Sequence, residues 1–237
     1  MHAGRPSHNP TAAKLVERQM RNWELARAQR LSVPAPQREE VEDFIAISRN
    51  AGVQGKVVAA ELGERLGWPV FGREILDVMA GNDDLRRQIY ASMDERDLSW
   101  YEETLRALMQ PEFVKNDYFN RLTETVLSLA RQGHAVFLGR GADFILPRTI
   151  GFRVRLVAPF ELCAEDFAKR HNLTPERARL EVARLEQERS EFIRNHFQID
   201  PADPTRHDLT INMERFTLKQ TVELILSART ATGMARY

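Results

Sequence analysis

The stretch Asp43-Phe44-Ile45-Ala46-Ile47-Ser48-Arg49-Asn50-Ala51-Gly52-Val53-Gln54-Gly55-Lys56 decides the fold, together with the apolar run that carries it on to Gly67. Residues 43–48 are mostly β-branched or small and read as a short strand buried on both faces. A glycine-bearing loop follows, and then Val58, Leu62 and Leu66 recur at spacings of four, which predicts a helix closed by Gly67 in a left-handed cap. The order is therefore strand, loop, helix. A lysine after glycine at the mouth of such a helix points to bound phosphate, because the helix end exposes unpaired N–H groups and a partial positive charge. Against the pattern G-x-x-x-x-G-K-[ST], Gly55 and Lys56 stand where the second glycine and the lysine belong. Asn50 replaces the first glycine, however, and Val57 the hydroxyl residue that would reach magnesium. Two readings stay open on the motif alone: a phosphate loop, or a turn with a solvated lysine.

The bulk properties narrow the alternatives. The chain has 237 residues, enough for one α/β core with appendages. Its 34 basic and 34 acidic residues cancel, so nothing in the net charge demands nucleic acid or an anionic membrane. Cys163 is the single cysteine, which excludes an intrachain disulfide and a thiolate-rich metal site. No apolar run approaches the ~18–20 residues that span a bilayer, and Met1 to Pro10 lacks a signal-peptide core. The expectation is a soluble, cytoplasmic protein without repeats.

Along the chain, residues 7–30 predict an amphipathic helix with Ala13, Val16, Met20 and Trp23 on one face, followed by a linker containing Pro34 and Pro36. That helix either packs on its own domain or serves as a homodimerisation arm. Residues 73–132 read as mostly helical with a break at Gly81-Asn82, and Arg73 and Asp77 lie just past an extended piece, where sites often form. The run 134–139 is apolar enough for a central parallel strand and delivers Gly139-Arg140-Gly141 to the edge where open α/β sheets bind ligands. A charged residue between two glycines there suits an anion, with a structural ion pair as the bland alternative. Further on come a strand at 152–157, a helix opened by Thr174-Pro175 and rich in arginine to residue 196, a strand at 208–212, and a capping box of Thr217 and Gln220 before a last helix. Arg189 and Arg194 are five positions apart, roughly 140° around a regular helix. No Ser-His or Cys-His arrangement is legible.

Taken in order, these segments resemble the cytidylate kinase-like family, a branch of the phosphate-loop nucleoside monophosphate kinases. The likeness is carried by Ile45-Ala46-Ile47-Ser48-Arg49 with Gly52 and Gly55, by Phe137-Leu138-Gly139-Arg140-Gly141-Ala142, and by Val154-Arg155-Leu156-Val157-Ala158-Pro159. It continues in Glu186, Arg189, Phe192, Ile193 and Arg194 and in His207-Asp208-Leu209-Thr210-Ile211-Asn212. The resemblance implies a three-layer α/β fold of the P-loop NTPase type with a five-stranded parallel sheet. It divides the chain into an N-terminal helix and linker (1–42), a kinase-like domain (43–228) and a tail (229–237). Within the domain it implies a helical acceptor-side insertion (73–132) and a helical lid (174–196). It further implies that Gly52, Gly55, Lys56 and Val57 lie at ATP phosphates, that Arg140, Arg73 and Asp77 face the acceptor, and that Lys56, Arg189 and Arg194 serve catalysis. The implied cofactors are ATP and magnesium, the metal held by water and nucleotide and by no protein ligand. The family usually has Glu-Tyr-Gly-Ser-Gly-Gly where this chain has residues 50–55, so the loop has lost a glycine and both hydroxyl groups. A nucleotide kinase acting on a CMP-like monophosphate, a catalytically weak nucleotide sensor and a purely structural module are the functions to be distinguished.

Overall fold

The computed structural model describes residues 17, 18, 20, 21, 43–84, 87, 117–132 and 134–233. The proline linker, most of the insertion between 85 and 116 and residues 234–237 fall outside it. Its centre is a sheet of five parallel strands in the order β2-β3-β1-β4-β5. The strands are β1 (Phe44–Arg49), β2 (Val70–Gly72), β3 (Ala135–Leu138), β4 (Phe152–Val157) and β5 (Leu209–Asn212). β1 pairs with β3 on one side and β4 on the other, with Ile45 opposite Val136 and Phe152. Because every strand runs the same way, all the loops at their C-terminal ends open on one edge.

Alternation along β1 builds two cores and hence three layers. Ile45 and Ile47 face a cluster with Val58, Ala59 and Leu62 of helix α1 (Gly55–Leu66) and with Val222 and Ile225 of α7 (Leu218–Gly233). Phe44 and Ala46 face the other way, toward Leu76 and Met79 of α2 (Arg73–Gly81), Leu122, Val126 and Leu129 of α3 (Asp117–Gln132), and Ile145 of the short α4 (Ala142–Ile145). Helix α4 has no sequence signal, since four residues cannot show a period. Two further helices, α5 (Phe160–His171) and α6 (Pro175–Phe197), form an arm over the sheet edge.

Local signals set most boundaries. Gly67 closes α1 at φ 67°, and Thr174 caps α6, its hydroxyl accepting from the Arg177 N–H at 3.4 Å. Thr217 and Gln220 exchange the hydrogen bonds of a capping box at α7. That helix extends through Gly233, beyond the expected end at 228, because no breaker intervenes and Arg229 pairs with Asp43 at the foot of β1.

Of the expected N-terminal helix, Met20 is described and is 6% exposed, packed into the α2–α3 core. This places at least one residue of that stripe on the chain's own domain. Met20→Ala should therefore lower the unfolding free energy by about 2–4 kcal/mol. Urea unfolding is the measurement, and an unchanged midpoint would show that the segment adds no core packing.

Candidate phosphate site

β1 ends in Ser48 and Arg49 at the open sheet edge, and residues 50–54 turn the chain into α1. Gly52 has φ +89°, and a Cβ there would lie 2.6 Å from the Cys163 carbonyl oxygen, so the loop sits directly against α5. Ala51 and Val53 join Cys163, Phe167, Val182 and Leu185 in a small apolar cluster that seats the α5–α6 arm on the loop. Polar contacts reinforce that seat. Arg170 donates to the Gly52 carbonyl, and Gln54 Nε2 donates to Asp166 Oδ2 at 3.5 Å. Glu186 of α6 accepts from the Ala51 backbone N–H at 2.6 Å and from Asn50 Nδ2 at 2.7 Å. A carboxylate thus rests on a loop amide of the kind that would bind phosphate.

Beside the loop is a cavity of about 260 Å³ lined by Arg49, Arg73, Arg140, Arg155 and Arg189 and, on the acidic side, by Asp143, Glu186 and Glu188. Arg140 is held in it by strong local geometry. Its Nε and Nη2 donate to the two oxygens of Asp77 at 2.8 and 2.6 Å, a bidentate pair. Its guanidinium lies 5.8 Å from the Tyr118 ring centroid and 5.4 Å from that of Phe192. The Tyr118 hydroxyl donates to Asp77 at 2.6 Å, and burial first, then this bond, raises its pKa. Arg73, one helical turn from Asp77, approaches it at 3.7 Å. The structure thus brings Arg140, Arg73 and Asp77 together.

The loop and lid residues divide differently. Lys56 turns outward and pairs with Glu74 at 2.7 Å, both side chains well exposed, outside the arginine-lined cavity. Val57, 47% exposed at the helix mouth, presents no oxygen to a cation. Arg189 lines the cavity and donates to the Arg49 carbonyl at 3.3 Å. Arg194 is exposed and does not line it, since α6 runs unbroken from Pro175 to Phe197 and five positions carry the side chain away. Burial, partly offset by Glu186, lowers the pKa of Arg189.

Two of these residues carried no site assignment in the sequence. Arg49, the last residue of β1, and Arg155, within β4, belong to segments that resemble the family, but nothing in the string of residues aims them at a ligand until the sheet places them. The fold also joins a serine and a histidine that no motif connects: Ser48 Oγ lies 3.0 Å from His207 Nε2, and Asp143 Oδ2 lies 3.4 Å from the same nitrogen. A relay triad uses the two opposite ring nitrogens. Here one nitrogen meets both oxygens and, among the described residues, Nδ1 has no hydrogen-bond partner, so the geometry differs from a relay triad and the cluster ties β1, α4 and the segment before β5 together. Residues 48, 143 and 207 are too far apart in sequence for any motif to have joined them.

A parallel sheet in the order 2-3-1-4-5, with a glycine-containing loop after its central strand and an arginine-lined cavity at its C-terminal edge, defines a protein of the phosphate-loop kinase class. The chain belongs to the cytidylate kinase-like family, which matches residues 44–215. A cytidylate kinase from Halobacterium salinarum is 26% identical over 185 residues, covering 78% of this chain and 88% of that protein. One from Methanopyrus kandleri is 26% identical over 108 residues, covering 42% of this chain and 56% of that protein. Among solved structures, an uncharacterized protein from Eubacterium ventriosum superposes with a TM-score of 0.65 at 18% identity, over 80% of this chain and 99% of that one. No helix among the described residues is long and apolar enough to cross a membrane.

Proposed function

We propose that the protein is a nucleotide kinase that moves the γ-phosphoryl group of ATP onto a small acceptor already carrying a phosphate, a CMP-like nucleoside monophosphate. The observation that carries this reading is the convergence of five arginines on one cavity beside the loop. Phosphoryl transfer needs positioning and charge neutralisation more than a protein nucleophile, and guanidinium groups supply both. Arg140, oriented by Asp77, suits the acceptor phosphate. Arg189, reaching from the α5–α6 arm, suits the transferring group. A second cavity of about 200 Å³, whose lining mixes apolar Leu162, Met213 and Phe216 with polar Gln54 and Thr217, adjoins the loop and suits a donor base.

Val57 offers no oxygen to a cation, and magnesium would enter with the nucleotide, held by its phosphates and by water. A second reading, a nucleotide sensor with weak turnover, is favoured by Glu186, whose carboxylate must leave the Ala51 amide before a phosphate can occupy it.

The experiment is calorimetric titration with ATP and magnesium, then ADP production with a panel of nucleoside monophosphates. A kinase releases ADP with at least one acceptor, whereas a sensor binds ATP without turnover. Absence of both outcomes would leave a structural module. Arg140→Ala should weaken the acceptor by about 1.5–3 kcal/mol, or roughly 10- to 150-fold. Unchanged acceptor affinity with a much lower melting temperature would make Arg140 structural instead.

A further inference from the structure

Arg49 is the one cavity arginine whose side chain crosses the loop itself. It stands at the last position of β1 and folds back over the first residue of α1, so that a Cβ built on Gly55 would meet Arg49 Cδ at 3.1 Å and Cγ at 3.3 Å. The guanidinium then continues to the Gly139-Arg140 segment, where its Nη1 occupies the space that a Cβ on Gly139 would take. It therefore spans the gap between the donor-side loop and the acceptor-side arginine. Glycine at 55 leaves room for this path, because a Cβ there would crowd the Arg49 stem.

That guanidinium has no direct partner. Among the described residues it makes no hydrogen bond and no salt bridge, although Arg140, Arg153 and Arg170 nearby are all engaged. Burial first, then repulsion from Arg189 and Arg73, lowers its pKa, with Asp143 and Glu186 only partly offsetting them. A cation packed among cations without a partner is costly to the protein alone and is relieved by a multiply charged anion. Meanwhile Lys56, the residue that the loop pattern would assign to the phosphates, is spent on Glu74.

We propose that Arg49, lying across Gly55, is the phosphate-binding cation of this loop and contacts the polyphosphate chain of a nucleoside triphosphate in place of Lys56. The proposal rests on the kinase reading for its ligand. An arginine entering from the strand side and a glycine at the helix start form a reciprocal arrangement to a glycine at the strand end and a lysine on the helix: the cation reaches the same space from the opposite side of the loop. Its planar fork can bridge two phosphate oxygens, which a lysine cannot do.

The test is calorimetry with inorganic tripolyphosphate and with ATP, on wild type, Arg49→Met, Lys56→Ala and the double variant Arg49→Gly/Gly55→Lys, together with thermal unfolding without ligand. Arg49→Met should weaken tripolyphosphate by about 10- to 100-fold, more than Lys56→Ala does, and should melt no lower than wild type because it removes an unpartnered cation. The double variant should recover most of the lost affinity, since its lysine would enter the vacated space. A larger loss from Lys56→Ala, or an Arg49→Met protein that binds tripolyphosphate as wild type does, would overturn the assignment. If Arg49→Met both melts early and loses binding, the double variant decides: recovery supports the assignment, and no recovery overturns it. Wild type that binds tripolyphosphate through Arg49 yet releases no ADP with any acceptor removes the kinase reading and leaves this assignment standing. Turnover unaffected by Arg49→Met does the opposite, and a wild type that binds neither probe overturns both.

Discussion

Replacing Gly52 by alanine is expected to destabilise the protein by roughly 2–5 kcal/mol and to dislodge the loop from the α5–α6 arm. Two effects add. The residue has φ +89°, a region costly to any residue with a Cβ. The new methyl group would also meet the Cys163 carbonyl oxygen at 2.6 Å, its Cβ at 2.7 Å and its carbonyl carbon at 2.9 Å. Two of these atoms belong to the α5 backbone, which has no rotamer by which to retreat. Helix and loop must therefore separate, opening the cluster of Ala51, Cys163 and Val182. The Arg170 contact to the Gly52 carbonyl and the Glu186 contact to the Ala51 amide should loosen with it. Urea unfolding gives the stability change, and ATP titration should show affinity falling in parallel. A variant with wild-type stability and affinity would mean that the arm and the loop are not packed together in solution.

The second large effect is expected at Arg153, the second residue of β4, which is 1% exposed. A guanidinium survives there because nearly every donor is used. Nε donates to the Asp143 carbonyl at 3.0 Å, Nη1 to that of Ile150 at 3.0 Å, and Nη2 to those of Leu146 and Pro147. The Phe44 ring centroid lies 5.1 Å away. Arg153 thereby fastens to the sheet residues 143–150, a segment whose Asp143 and Phe144 form part of the floor of the arginine-lined cavity. Removing it leaves four carbonyls to find other donors, and each buried acceptor left unpaired costs on the order of 1–3 kcal/mol. Arg153→Ala should thus lose about 4 kcal/mol or more by urea unfolding. Arg153→Lys should recover only part, because an ammonium lacks the planar fork that reaches all four. If the lysine variant matches wild type, the carbonyls do not depend on the fork and this account of the floor is wrong.

The fold was legible where local chemistry acts within a few residues. Strand β4 stands where its apolar run put it, and α1, α6 and α7 begin or end at the glycine, threonine-proline and capping-box signals that mark them. The two-faced burial of β1 followed from a run of apolar residues between turns. A parallel sheet was implied by strands separated by helical segments and its five strands by the family resemblance, whereas the order 2-3-1-4-5 came from the tertiary structure. Helix α4 was not legible, since one helical turn leaves no periodic trace.

The site was legible by position more than by role. The glycines after β1 and β3 mark the sheet edge, and Arg73, Asp77 and Arg140 meet there as their places in the chain suggested. Lys56 and Arg49 are seven positions apart and both are cationic residue types, yet one turns out to Glu74 and the other crosses Gly55 into the cavity. Arg189 and Arg194 share a helix but not a face. By itself, then, the sequence determined where strands and helices form, which loop could accept phosphate and which family the chain resembles, because propensity, capping and periodicity are short-range. Only the tertiary structure decided which cations converge and which are already paired. Like charges are indistinguishable in a string of residues, and a side chain's direction is set by partners such as Glu74, Asp77 and Glu186 that the fold brings from elsewhere in the chain.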